Sequence, residues 1–98
     1  MKESGVAHHA ETIEIATYSL TTGLPGWHDG EERIAIRVAR GEVIISANPA
    51  GLRGLARELL GLAQEGVPDG NEVYLMSEGH LPLLAVDSPP LRLVRRDG

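Results

Sequence analysis

The chain has 98 residues and three aromatics, none of them Phe, so one domain has to build its core from Leu, Ile, Val and Ala. It has no cysteine, which excludes disulfides and thiolate chemistry. The formal charge of −5 is spread over both halves without a basic, aromatic-rich patch, and this argues against a nucleic-acid partner.

No apolar run approaches the ~18 residues of a membrane span, and residues 1–20 carry no apolar block after a basic start. The expected location is the cytoplasm, with no membrane contact. Residues 1–10 lack periodicity and read as a loose tail. The adjacent His8 and His9 have no carboxylate or cysteine cluster beside them, so they read as solvent-exposed rather than as metal ligands.

Thr12 to Tyr18 alternates, with Ile13, Ile15 and Thr17 on one side, and is expected to be a half-buried strand. Leu20 to Gly30 holds three Gly and one Pro and reads as a loop. Glu31 to Arg40 alternates with Ile34, Ile36 and Val38 inward. A tight turn at Arg40-Gly41 leads to Val43–Ala47, with Val43, Ile45 and Ala47 inward, and the two strands form a hairpin.

The stretch Asn48 to Gly66 reads as a helix marked at both ends. Leu52, Leu55, Ala56, Leu59, Leu60 and Ala63 recur at helical period; with Leu62 they span roughly 160° of its surface. Asn48 is a suitable N-cap, and Pro49 at the first helical position lacks an N–H the helix does not need. Gly66 suits the left-handed stop, and Pro68 blocks continuation. Gly54 and Gly61 fall on the polar arc, where they read as tolerated slack or as a place of close approach.

Val67-Pro68-Asp69-Gly70 has turn chemistry and leads to a strand over Asn71–Met76, with Val73 and Leu75 inward. Residues 77–90 are irregular; Leu81–Val86 reads as a strand fragment or a packed loop. Leu91–Arg95 is a last strand, and residues 96–98 are tail. The order β-β-β-α-β-β predicts an α+β, two-layer sandwich: a mainly antiparallel sheet of about five strands, with one main helix packed on one face. The expected open sheet face carries Glu14, Tyr18, Arg33, Arg37, Ile44, Tyr74, Met76, Arg92 and Val94. A homodimer or a partner could cover it, or it could stay half-exposed.

Candidate reactive groups are few. His28 and Asp29, in Gly26-Trp27-His28-Asp29-Gly30, could act as an acid/base pair or as metal ligands, with His80 as a third member. Adjacent residues on an extended segment point apart, however, and no second pair stands at ligand spacing. No nucleophile-elbow, H-E-x-x-H, P-loop or dinucleotide motif occurs. No catalytic residue, metal or cofactor is assigned. Trp27 reads as a plug under the loop or as an exposed contact anchor.

Residues 46–75, SANPAGLRGLARELLGLAQEGVPDGNEVYL, resemble the immunity protein 32 family of bacterial polymorphic toxin systems. The likeness lies in a strand ending at a small-polar turn, then Gly51-Leu52, Leu55-Ala56, Leu59-Leu60 and Leu62-Ala63 along one helix. It continues through Asp69-Gly70 into Glu72–Leu75, where Val73-Tyr74 stand in place of the histidines the family often has. The resemblance implies a small cytoplasmic, non-enzymatic protein that binds a cognate toxin and neutralises it by occlusion. An acidic domain suits a basic toxin, because complementary charge speeds association. The expected contact residues are Trp27, Asp29, Glu31 and Glu32 on the loop, or Tyr18 and Tyr74 on the open sheet face. The alternatives are a homo-oligomeric domain and a small-ligand or metal site near His28 and Asp29.

Overall fold

The computed structural model describes residues 6–24, 30–78 and 84–98. In chain order these hold β1 (Ile34–Ala39), β2 (Glu42–Ala47), α1 (Pro49–Leu62), β3 (Glu72–Leu75) and β4 (Leu91–Val94). The class is α+β, with one helix and four strands in two antiparallel pairs, β1-β2 and β3-β4.

The first hairpin follows its sequence closely. Arg40 and Gly41 both have positive φ, 54° and 78°, as a two-residue type I′ turn requires. The register sets Ile34 against Ala47, Ile36 against Ile45 and Val38 against Val43, so the expected inward residues share one face, but only Ile34 and Ile36 are buried; Val38, Val43 and Ile45 are exposed. In the second pair Val73 faces Leu93 and Leu75 faces Leu91 on one side; Tyr74 faces Arg92 on the other.

Among the described residues the two pairs are joined through the segment around Leu84 and Ala85. Leu84 forms a parallel bridge with Ile34, and its N–H donates to the Met76 carbonyl at 3.1 Å. Ala85 N–H donates to the Ile34 carbonyl at 2.7 Å. Leu84 is buried with Ile34, Ile36 and Leu75, and Ala47, Leu55, Val73 and Leu91 pack around them. Of the run Leu81–Val86, residues 81–83 lie outside the described residues, and Leu84 is the strand fragment.

Among the described residues the expected single sheet of about five strands is not formed: the four strands make two separate pairs, and the expected first strand is absent. Residues 12–18 form no ladder and are held by a side chain instead. The Gln64 amide donates to the Ala16 carbonyl at 2.9 Å and accepts from the Tyr18 N–H at 3.3 Å. Farther back, Arg53 pairs with Glu11 through two bonds, at 2.8 and 3.2 Å. The segment therefore runs along α1 from Arg53 to Gln64. An extended stretch of about seven residues matches the roughly 16 Å rise of those helical turns.

The helix is rotated from its expected setting. Gly51, Gly54, Gly61 and Leu62 are buried, whereas Leu52 and Leu59 are 54% and 53% exposed and Leu60 is nearly as open. At 100° per residue the buried arc is centred about 120° from the apolar stripe. The cause lies at the N-terminus. The Asn48 side-chain oxygen accepts from Gly51 N–H at 2.7 Å and from Arg33 N–H at 2.9 Å. Its amide nitrogen donates to the Glu31 carbonyl at 3.0 Å. These bonds tie the first turn to the start of β1 and turn Gly51 toward it. A Cβ on Gly51 would lie 2.6 Å from the Arg33 carbonyl oxygen. Glycine is what lets the backbones approach so closely.

The C-terminus of α1 is closed from β4. The Arg95 guanidinium donates to the carbonyls of Leu62 at 2.9 Å and Gln64 at 2.7 Å, satisfying acceptors the helix leaves open. Gly66, at φ 90°, takes the left-handed turn expected of it.

Candidate functional site

Trp27, His28, Asp29 and His80 lie outside the described residues. Glu31 is exposed on the approach to β1. Glu32, read from sequence as a surface carboxylate beside it, is turned inward and only 8% exposed. One carboxylate oxygen accepts from Gly30 N–H at 3.1 Å; the other lies 3.8 Å from the Arg57 guanidinium. Its methylenes lie over Gly54, where a Cβ would come within 3.2 Å of Glu32 Cγ. Glu32 therefore fixes the approach segment to α1 from behind.

Tyr18 and Tyr74 do not share a face. Tyr18 belongs to the extended segment clamped by Gln64, whereas Tyr74 stands half-exposed on the outer side of β3, opposite Arg92. The expected face on which they meet requires a first strand that does not pair. Arg37 and Ile44, also expected there, are partners on the outer side of the first hairpin.

The polar arc of α1, where Gly54 and Gly61 read as slack or as a place of close approach, is covered. Arg53 binds Glu11, Arg57 meets Glu32, and a Cβ on Gly61 would touch Ile15 and Leu24 at 3.7 and 3.8 Å. The open arc is the apolar one, with Leu52, Ala56, Leu59, Leu60 and Ala63. Its lower half borders a shallow groove of about 560 Å³ against β4, lined by Leu59, Leu62, Leu93 and Arg92. The three inward glycines, at 51, 54 and 61, were the sequence signal for this rotation, since they mark the arc along which other backbone can come close.

Two exposed ion pairs set the local electrostatics. The hydrogen bond and charge of Arg53 hold the Glu11 carboxyl below the usual carboxylate range. Arg92, bonded to Glu72 at 2.8 and 2.9 Å, does the same for Glu72. Each pair uses the planar fork of Arg, which lends direction to a contact that solvent otherwise weakens.

Among the described residues no three His, Asp or Glu side chains converge as a metal ion would require. No helix among them is long and apolar enough to cross a membrane. The geometry of the described residues offers aliphatic and mixed-charge surface rather than converging reactive groups.

A family model described as Immunity protein 32 matches residues 42–96. No curated protein and no solved structure matches the chain.

Proposed function

The chain belongs to the immunity protein 32 family, and from that premise we propose that it binds a cognate protein toxin and neutralises it by occlusion. The toxin is one made by a bacterial polymorphic toxin system, and the protection acts in the cytoplasm without catalysis. The observation that carries this reading is the family match over residues 42–96, which takes in β2, α1, β3 and β4.

The surface chemistry supports occlusion. Occlusion needs contact area with a few rigid anchors, and it needs no assembled reacting group. Trp27, Asp29 and Glu31 stand close together in the sequence and join an aromatic anchor to two carboxylates, while buried Glu32 braces the approach to β1 from behind. The open arc of α1 adds Leu52, Leu59 and Leu60. Tyr74 and Tyr18 are further contacts on other sides. A formal charge of −5 draws in a basic toxin and raises its association rate.

The test is coexpression with the product of the adjacent gene, followed by copurification and an assay of the toxin's own activity. A stoichiometric complex with lost activity is the expected result. An adjacent product that is harmless, or that does not bind, overturns the reading. Trp27→Ala and Leu59→Glu are each expected to weaken the complex at least about tenfold, as loss of a contact anchor does. A variant that binds unchanged removes its surface from the interface.

A further inference from the structure

Among the described residues nothing pairs with the outer edge of the hairpin β1-β2. In a hairpin with a two-residue type I′ turn, the residues flanking the turn exchange both ladder hydrogen bonds, and bonded pairs then alternate. Ala39 and Glu42 are therefore bonded to each other, as are Arg37 with Ile44 and Ala35 with Ser46. The backbone groups of Val43, Ile45 and Ala47 then point away from β1.

Independent bonds on β1 confirm this phase. Ile36 N–H, on a non-bonded position, donates away from β2 to Ser88 Oγ at 3.0 Å. The Ile34 carbonyl, two residues earlier, accepts from Ala85. On β2 no such partner is present: among the described residues it pairs with β1 alone.

This edge also lacks the devices that keep edges apart. β2 reads EVIISA, with no Pro or Lys and its one charge at the turn end. Val43 and Ile45 are 65% and 42% exposed, and Val38, opposite Val43, is 63% exposed. Among the described residues nothing covers this edge in the isolated chain. A second copy of the chain is the occupant that is always available.

We propose that β2 pairs antiparallel with β2 of a second copy about a two-fold axis through Ile45, giving the continuous order β1-β2-β2-β1. A two-fold axis perpendicular to the sheet keeps the apolar faces of both copies on one side and requires opposed residues of equal parity. Centring on Ile45 sets Ile45 against Ile45 and Val43 against Ala47. All three outward-pointing residues of each strand are then bonded, six backbone bonds in total. Glu42 falls opposite Asn48 of the other copy, so no like charges meet. The contact is one strand edge with the exposed Val43 and Ile45 of each copy, at the small end of specific interfaces. The dimer is expected to dissociate in the micromolar range. This pairing stands independently of toxin binding and uses a different part of the surface from the α1 arc.

The experiment uses the purified chain alone. Sedimentation is expected to show the mass rising from 10.5 kDa toward twice that value with concentration, over roughly 1–100 μM. Ile45→Pro removes an N–H that β1 does not use, which an edge strand tolerates. It is expected to raise the dissociation constant at least about tenfold, the equivalent of one or two lost backbone bonds. Should that variant not fold, cysteine trapping gives the answer on the native chain, which has no cysteine. With Ile45→Cys the two Cα atoms lie about 5.5 Å apart, within disulfide reach, and mild oxidation yields a covalent dimer. With Arg40→Cys they lie about 34 Å apart, and none forms. A wild-type mass that stays at one chain throughout, or trapping equal at positions 40 and 45, overturns the proposal.

Discussion

Asn48 carries more of the fold than its role as a cap suggests. A capping side chain satisfies one orphan N–H of the first turn. Asn48 does so for Gly51, and also accepts from Arg33 and donates to Glu31. Asn48→Ala is expected to cost about 2 kcal/mol, above the ~1 kcal/mol of an ordinary cap, because a strand N–H loses its partner too. Asn48→Asp keeps both acceptor bonds and loses the donor, so it is expected to cost less. Urea unfolding of the two variants measures the difference. Glu11 acts at the same scale on the N-terminal segment. Its pKa is lowered by Arg53, so the contribution of the pair is present above the unfolded carboxylate value and is lost as pH falls through the folded one. Acid below the usual carboxylate range is expected to lower the protection factor of the Tyr18 amide, bonded to Gln64, before those of β1. Glu11→Gln should abolish that early step, which hydrogen exchange followed by NMR detects.

The helix is where element-scale expectation and structure part. The spacing of Leu52, Leu55 and Leu59 correctly gives a helix, and its stripe was expected to face the sheet. In the structure the glycine arc faces inward, and only Leu55 and Leu62 of the stripe follow it. The glycines are consequently not equivalent. Gly51→Ala meets backbone at 2.6 Å and is expected to destabilise by about 2–3 kcal/mol through overpacking. Gly54→Ala meets Glu32 Cγ at 3.2 Å, where the side chain is held by Arg57 and Gly30, and is expected to lose about 1 kcal/mol. Gly61→Ala makes ordinary contact with Ile15 and Leu24 and should gain about 0.5–1 kcal/mol from helix propensity. Thermal unfolding of the three variants orders them. A uniform gain across the series would mean that the glycine arc is not the packed one.

At the scale of the whole molecule, the interior is small for the chain. Among the described residues no side chain is wholly shut from solvent. Two hairpins joined through Leu84 cannot cover both the helix and their own faces, and a lone two-stranded hairpin is only marginally stable in water. Uncovered aliphatic surface includes the α1 arc and the β2 edge. Toxin binding and self-pairing would use these separately, and this predicts that Ile45→Pro monomers still bind toxin. Mixing that variant with toxin and measuring the affinity decides whether the two surfaces are independent.

The sequence alone determined what local chemistry can specify. The hairpin with its Arg40-Gly41 turn, the helix with its Asn48 and Pro49 start, the inward Val73 and Leu75 and the family likeness over residues 46–75 were all legible. Each rests on spacing or on backbone preference within a few residues. Tertiary structure decided what depends on distant partners. Residues 12–18 alternate as a strand does, yet alternation cannot say what bonds the backbone, and here the amide of Gln64 takes the place of a neighbouring strand. Glu32 sits in an acidic surface sequence, but Arg57, 25 positions away, draws it inside. The rotation of α1 was hidden for the same reason: hydrophobicity ranks the faces of a helix, whereas the close approach allowed by Gly51 and fixed by Asn48 decides which one the sheet can reach.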